Sequence, residues 1–398
     1  MSRSLVSRIA LAAVVGAALA SFSPVAAHAA SRNLLINPGM EDALPDHPWM
    51  PAGWDTSVSG LPTTFFGRDS FLVHGGHYAV TVANVSTMLP MAHNWSQKLL
   101  VGREAWGKDA VFTVWTRSNG VDGRAYCLLQ AYRDTISKMA GIWKVPHSEA
   151  ASRLNIKGLD DPLVDFGWQR AIFTEPETDW VRRAMRVYVP TGTNVLFVRC
   201  GLLGSGQLVI DDASLTLENA QPAAAVKTGQ NLLADAGFEN GLDQWEVSVP
   251  PFPGFDYGLD STQAHTGRAS AHFEFVGSPT SLTFTLKSRV GVCQVISNRN
   301  LSGKRVRLSG WIKTDSLQSG AYLKIFAHGQ YGVLQTVGGN QLGQTSPWTL
   351  TSQELDLPPD TYQVWAWCQY DAPVKGRVWF DDVSLEVLGP SPKPLTKK

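Results

Sequence analysis

Residues 306–313 read Val306-Arg307-Leu308-Ser309-Gly310-Trp311-Ile312-Lys313. Apolar and polar positions alternate with the period of a strand that buries one face. Val306, Leu308 and Ile312 fall on one side, and Arg307, Ser309, Trp311 and Lys313 on the other. The same reading turns Leu323 and Ile325 inward and Tyr322, Lys324 and Phe326 outward. Between Tyr362 and Cys368 it sends Tyr362, Val364, Ala366 and Cys368 one way and Gln363, Trp365 and Trp367 the other. Gly, Pro and Asn clusters separate these runs, and no long amphipathic helix stands out beyond one insertion. The pattern predicts an all-β fold in which antiparallel sheets pack in pairs as a jelly-roll β-sandwich.

The strand pattern occurs twice. Asn33-Leu34-Leu35-Ile36-Asn37-Pro38-Gly39-Met40-Glu41 returns as Asn231-Leu232-Leu233-Ala234-Asp235-Ala236-Gly237-Phe238-Glu239. Gly107-Lys108, Trp115 and Ala125-Tyr126 return in order as Gly303-Lys304, Trp311 and Ala321-Tyr322. Trp180, Cys200 and Asp211-Asp212-Ala213-Ser214-Leu215 return as Trp348, Cys368 and Asp381-Asp382-Val383-Ser384-Leu385. Ordered matches of this kind mark a duplication. Two modules are expected, 31–217 and 231–388, with a linker at 218–230 and a Pro-rich tail at 389–398. The first copy carries an insertion, because residues 133–179 fill the place that 329–347 fill in the second. Its stretch Ser148 to Leu154 is expected to form a short helix, and the segment to shape one wall of a first-module site.

Charge excludes some classes. The 398 residues hold 34 Lys and Arg against 34 Asp and Glu, and charged residues are 17% of the chain. A neutral, weakly charged chain argues against nucleic acid or a membrane surface as partner. A hydrophobic share of 44% allows real cores. Residues 1–29 look like an export signal: Arg3 and Arg8 precede an apolar stretch from Ile9 to Ala20, and Ala27-His28-Ala29 offers a small-residue cleavage site. The expected location is secreted or periplasmic.

An opening Asn-Leu-Leu, Gly237-Phe238-Glu239 with a Trp soon after, a turn from His265 to Gly267, a Gln before the Trp-bearing strand and the closing run Val378 to Leu385 together resemble carbohydrate-binding modules of the family 4/9/22 type. The resemblance runs through the second module. The first departs at Met40, around Pro45 to Pro51 and in the insertion. It implies jelly rolls that bind polysaccharide in a cleft or on a concave sheet, usually with a structural calcium ion. Calcium takes six to eight oxygens. The resemblance places Glu41 beside Asp212 and Glu239 beside Asp382, with backbone carbonyls near His77 and Arg268.

Sugar rings stack their C–H faces on aromatic planes and offer hydroxyls to amides and charged groups. Outward Trp311, Lys313, Trp365, Trp367 and Gln369 supply that mixture in the second module. Trp115, Arg117, Tyr126, Gln130 and Tyr132 supply it in the first, where Phe197 and Arg199 replace the Trp pair. Gln97 and Gln294 could serve as cleft ligands or as sheet-edge hydrogen bonders. Cys127 with Cys200 and Cys293 with Cys368 are read either as one bridge per module or as buried thiols.

The leading expectation is a non-catalytic polysaccharide- or oligosaccharide-binding protein acting beside separate polysaccharide-degrading enzymes. A jelly-roll polysaccharide lyase or glycoside hydrolase with its site in the first module is the alternative, drawing on Arg133, Asp134, Lys144, His147, Glu149, Arg153, Asp160, Asp161 and Asp165. A surface or matrix protein making only protein contacts is the third class.

Overall fold

The computed structural model describes residues 32–392 apart from 57–62, 86–91, 135, 137–138, 140–141, 143, 146, 154–163, 174–175, 250–253, 278–287 and 330–331. The proposed export signal and the end of the tail lie outside the described residues.

The first module contains a small hairpin of β1 (Ala43–Leu44) and β2 (His47–Pro51). Its main strands are β3 (Asp55–Thr56), β4 (Thr64–Asp69), β5 (Ala79–Asn84), β6 (Ala92–Leu100), β7 (Lys108–Arg133), β8 (Val164–Phe173), β9 (Val181–Tyr188) and β10 (Val195–Asn219). The second comprises β11 (Glu246–Ser248), β12 (Phe255–Asp260), β13 (Ser270–Phe275), β14 (Ser288–Ser297), β15 (Lys304–Gly329), β16 (Gly332–Gly338), β17 (Leu342–Asp356), β18 (Gln363–Ala372) and β19 (Arg377–Pro390). Every pairing of these named strands is antiparallel. The all-β expectation holds, and burial alternates along Val306 to Lys313 as the sequence predicts.

Long strands serve two layers. In the first module, the second half of β7 and the first half of β10 pair with each other, with β8 and with β6. Their other halves pair with β9 and β5, and β5 pairs with β4. The corner falls where Gly120, Gly123, Gly204 and Gly206 all have positive φ. A Cβ on Gly123 would strike Leu203 O, and one on Gly204 would strike Asp122 O, so only glycine lets the two chains bend this closely.

The second module repeats the plan with β15 as the two-layer strand. Residues Ala321 to His328 pair with β18 and Lys324 to Gly329 with β16, while Arg305 to Ile312 pair with β17 and β19. Here β18 and β19 together take the place of the single β10. We call the layer containing β6, the first half of β10 and the second half of β7 the front. Its counterpart contains β14, β18 and the second half of β15. The other layer of each module is the back.

Each sandwich encloses its own apolar cluster. Trp54, Trp95, Phe112, Leu129, Met185 and Leu196 anchor the first, and Phe238, Trp245, Phe273, Tyr370 and Phe380 the second. The repeated Asn at the start of each module ties the opening segment to the last strand. Asn33 donates to Ala213 O and accepts from Leu215 N, and Asn231 does the same with Val383 O and Leu385 N.

The stretch read as a linker is exposed but gripped. Asn298, Arg299 and Asn300 donate to the carbonyls of Gln221, Ala223 and Ala224. The Arg299 guanidinium lies 4.0 Å from the centre of the Tyr188 ring. In the insertion a helix covers His147–Arg153, within one residue of the expected stretch. The segment's last strand, β8, extends the front sheet at its edge.

Candidate functional site

The sequence-predicted aromatic and polar residues do not form one set, because the corner strands carry them to different layers. Trp365, Trp367 and Gln369 lie on the front of the second module. Cross-strand register sets Gln369 opposite Tyr322, Trp367 opposite Lys324 and Trp365 opposite Phe326. Trp365 and Trp367 are both half-buried, with ring centres 6.4 Å apart and planes inclined by 32°. His328 stacks on Trp365 at 4.7 Å, and Trp365 Nε1 donates to Gln363 Oε1 at 2.7 Å. Burial holds His328 down at about 4, so its ring is neutral at ordinary pH.

Trp311 and Lys313 sit on the back layer. Trp311 faces Leu350 on β17 and Asp381 on β19. The His265 ring stacks on it at 3.8 Å, with Trp348 edge-on to the imidazole at 5.9 Å. Lys313 Nζ donates to Gln263 Oε1 at 2.5 Å. Trp115 repeats the arrangement in the first module, with His74 stacked at 4.0 Å and Trp180 edge-on at 5.6 Å. Arg117 lies nearby on the same layer, opposite Val209.

The first module's front gathers Tyr126, Gln130 and Tyr132. Tyr126 and Tyr132 are only 7% and 5% exposed, more enclosed than an outward position suggests. Asn94 Nδ2 donates to the Tyr126 hydroxyl at 3.0 Å. Arg199 donates to Gln130 Oε1 at 2.6 Å and lies over Phe197 with 4.6 Å to the ring centre. Lys98, from β6, sits 3.5 Å from the Asp134 carboxylate.

Gln97 and Gln294 resolve as structural. Gln97 accepts from Ile36 N at 2.7 Å and donates to Ile36 O at 3.0 Å. Gln294 does the same with Ala234, at 3.0 and 2.5 Å. Each buried amide thus replaces a strand neighbour for the opening segment.

The early Glu and late Asp-Asp do meet at one turn. Glu41 accepts from His77 N and Tyr78 N, and Glu239 from Arg268 N. Asp211 takes the N–H groups of His74 and Gly75, and Asp381 those of His265 and Thr266. Desolvation raises the pKa of both buried Asp residues. Asp212 and Asp382 pair with His74 and His265 Nδ1 at 2.7 and 2.6 Å. A Cβ on Gly76 would strike Glu41, and one on Gly267 would strike Glu239, so the turn is a glycine cradle for the carboxylates. Two carboxylates on such a cradle fit a cation that draws the rest of its shell from backbone and water oxygens. The groups that point at them here are N–H donors, joined at Asp382 by the Thr266 hydroxyl, and no cluster of three or more His, Cys, Asp or Glu suited to a metal occurs among the described residues.

All four thiols are free and buried. Cys127 and Cys200 stand opposite each other across β7 and β10. Cys293 instead opposes Trp367, while Cys368 opposes Val292 and Leu323. The second pair therefore points to opposite faces of its sheet, which is the wrong geometry for a bridge.

Of the insertion's candidate chemistry, Glu149 pairs with Arg153 along the helix and Asp134 with Lys98, while Asp160 and Asp161 lie outside the described residues. The sequence reading missed the roles of His74 and His265. Their signal was available, since each lies in a Gly-bearing turn that precedes the repeated Trp by a similar distance.

No family model matches the chain, and no curated protein matches it. Solved structures do. The tandem of two family 22 carbohydrate-binding modules from Paenibacillus barcinonensis Xyn10C is 13% identical, over 90% of this chain and 98% of that one, with a TM-score of 0.30. TmCBM61, solved with β-1,4-galactotriose, is 18% identical, over 47% of this chain and 100% of that one, with a TM-score of 0.28. The α-L-arabinofuranosidase MgGH51 is 10% identical, over 46% of this chain and 26% of that one, with a TM-score of 0.31. At these identities the likeness concerns the fold alone. Structural neighbours of this pair of jelly-roll β-sandwiches thus include carbohydrate-binding modules, both tandem and single.

Proposed function

We propose that the protein binds polysaccharide on the front sheets of its two modules and is a secreted, non-catalytic partner of separate polysaccharide-degrading enzymes. The observation that carries this reading is the pair Trp365 and Trp367. Two half-buried indoles lie side by side on one sheet, flanked by Gln369, Tyr322 and Lys324. Flat apolar planes beside the Lys324 ammonium match what successive sugar rings require, whereas Gln369 and Tyr322, 2% and 7% exposed, are more enclosed than their outward positions suggest. The first front carries smaller aromatics, Tyr132 and Phe197, whose ring centres are 6.3 Å apart, so the two modules would differ in ligand range. Linkage through a gripped connection would let one chain engage both and raise avidity.

Support for the non-catalytic half comes from the carboxylates. Among the described side chains, Asp134 is paired with Lys98 and Asp371 accepts from the Tyr322 hydroxyl, while Asp55 and Glu246, in register with Ser96 and Cys293, stand apart from them on the edge strands β3 and β11. Acid–base cleavage of a glycoside needs two carboxylates flanking one bond. A structural calcium ion belongs to the same proposal: Glu41 with Asp212 and Glu239 with Asp382 would hold it, and it would supply countercharge at the turn.

Pull-down on insoluble cellulose, xylan and mannan, with affinity electrophoresis on soluble β-glucan and alginate, tests the reading. Trp365→Ala and Trp367→Ala should each weaken binding by about tenfold or more, with the melting curve of Trp367→Ala close to that of the parent. No binding to any of these glycans removes the proposal. Release of reducing ends or unsaturated sugars would restore the enzyme reading.

A further inference from the structure

We propose that the polysaccharide is an acidic one, whose uronate carboxylates are met by the cations of the front sheets. The inference rests on the polysaccharide-binding reading above and adds the ligand's charge.

The argument is a balance of donors and acceptors. On the second module's front, Gln363 Oε1 is taken by Trp365 Nε1 at 2.7 Å, and Asp371 Oδ1 by the Tyr322 hydroxyl at 3.2 Å. On the first, Gln130 Oε1 is taken by Arg199 at 2.6 Å, the Tyr126 oxygen by Asn94 at 3.0 Å and Asp134 by Lys98 at 3.5 Å. These acceptors already take bonds inside the molecule, and the other carboxylates in register with the fronts, Asp55 and Glu246, stand on the edge strands β3 and β11.

What remains on the second front includes two cations. Lys324 Nζ lies 4.6 Å from the centre of the Phe326 ring, and no described carboxylate forms an ion pair with it. Arg289, in register with Asp371 across β14 and β18, is exposed at the same front.

The cations also strain against one another. Burial lowers the Lys324 ammonium's pKa, and repulsion from Arg289 lowers it further against a smaller pull from Asp371. A ligand carboxylate placed between them would relieve that repulsion. A sugar hydroxyl both gives and takes a hydrogen bond, so a neutral chain would bring donors to a surface already rich in them. A carboxylate only accepts, and its bonds to cations are roughly twice as strong as neutral ones.

The test uses the full chain. Binding is measured to polygalacturonate and alginate, to methyl-esterified polygalacturonate, to neutral xylan, β-glucan and mannan, and to polyglutamate, which has charge but no sugar face. Acidic glycans should bind about tenfold or more tighter than the esterified and neutral chains and than polyglutamate. That preference should fade as salt rises toward about 1 M, where the Debye length is ~3 Å. Arg289→Gln should reduce acidic binding several-fold and leave the melting temperature and any neutral binding unchanged, and Lys324→Gln should reduce acidic binding several-fold more than it reduces neutral binding.

Equal binding of esterified or neutral chains overturns the acidic ligand while leaving polysaccharide binding intact. Equal binding of polyglutamate reduces the effect to bare charge and overturns it too. Silence across every sugar removes both proposals together.

Discussion

The His265 imidazole lies flat on the Trp311 indole, ring centres 3.8 Å apart and planes 16° apart, while its Nδ1 meets Asp382 at 2.6 Å. His74, Trp115 and Asp212 repeat this clasp in the first module. One indole face is therefore spent on holding a loop to the back layer, so Trp311→Ala should behave as a packing mutation. It should cost roughly 3 kcal/mol of stability by denaturant unfolding, with glycan binding unchanged. Trp367→Ala should do the reverse, and Trp365→Ala should lose binding and also some stability through its His328 stack and Gln363 hydrogen bond. Loss of binding in Trp311→Ala at parental stability would return Trp311 to the site.

His328 makes stability depend on pH. Its ordinary value is 6.5, and burial holds it near about 4 in the folded chain. Above 6.5 both states carry a neutral ring and nothing is lost. Between 6.5 and 4 the unfolded chain takes up a proton that the folded one refuses, so stability falls with falling pH, by roughly 3 kcal/mol across the window. His328→Phe keeps a flat ring against Trp365 and removes the titration. Urea unfolding from pH 7 to pH 4 should therefore show a shallower decline in the variant. An identical decline would mean that other groups carry it.

The four buried thiols yield a simple count. Cys127, Cys200, Cys293 and Cys368 are at most 1% exposed. None should react with a thiol reagent in the native state, and all four should react once the chain is unfolded under reducing conditions. If folding with oxidised glutathione closes a bridge within a module, mass spectrometry should find it between Cys127 and Cys200. A bridge between Cys293 and Cys368 would contradict the register of β14 and β18.

The strands were readable in the sequence because their signal is local. Period-2 burial along Val306 to Lys313 needs no knowledge of partners, and the duplication confirms it twice. The change of layer halfway along β7, β10 and β15 is not local. Gly120, Gly123, Gly204 and Gly206 read as ordinary turn punctuation, although they are what lets paired strands bend together. Without that corner, Trp311 and Trp365 both count as outward and fall into one imagined face. Gln97 and Gln294 were ambiguous for a related reason, since their partners, Ile36 and Ala234, come from a segment far away in the chain.

The insertion separates the two modules' fronts. Its strand β8 pairs with β7 from Ala125 to Arg133, the position that β16 holds against β15. Replacing residues 138–162 with a short Gly-rich turn spares β8 and should leave the fold intact. We expect a changed ligand range in the first module and none in the second, read by glycan binding in a background carrying Trp365→Ala and Trp367→Ala. Unchanged binding would reject the idea that this segment forms a wall of the site.

Calcium provides the last test, because the turn that would hold it already balances its charge by other means. Asp382 is paired with His265 and Thr266, and Glu239 with Arg268, so these carboxylates already have partners within the chain. An ion that binds the folded state alone stabilises by mass action, about 2.7 kcal/mol at a hundred times its dissociation constant. Adding EDTA should then lower the melting temperature by several degrees, and restoring calcium should recover it. Asp382→Ala should lower the starting value and remove the response of the second module, while the first keeps its own through Glu41 and Asp212. A melting curve that ignores both EDTA and added calcium would mean that imidazole, the Arg268 guanidinium, the Thr266 hydroxyl and backbone N–H groups suffice to hold these carboxylates.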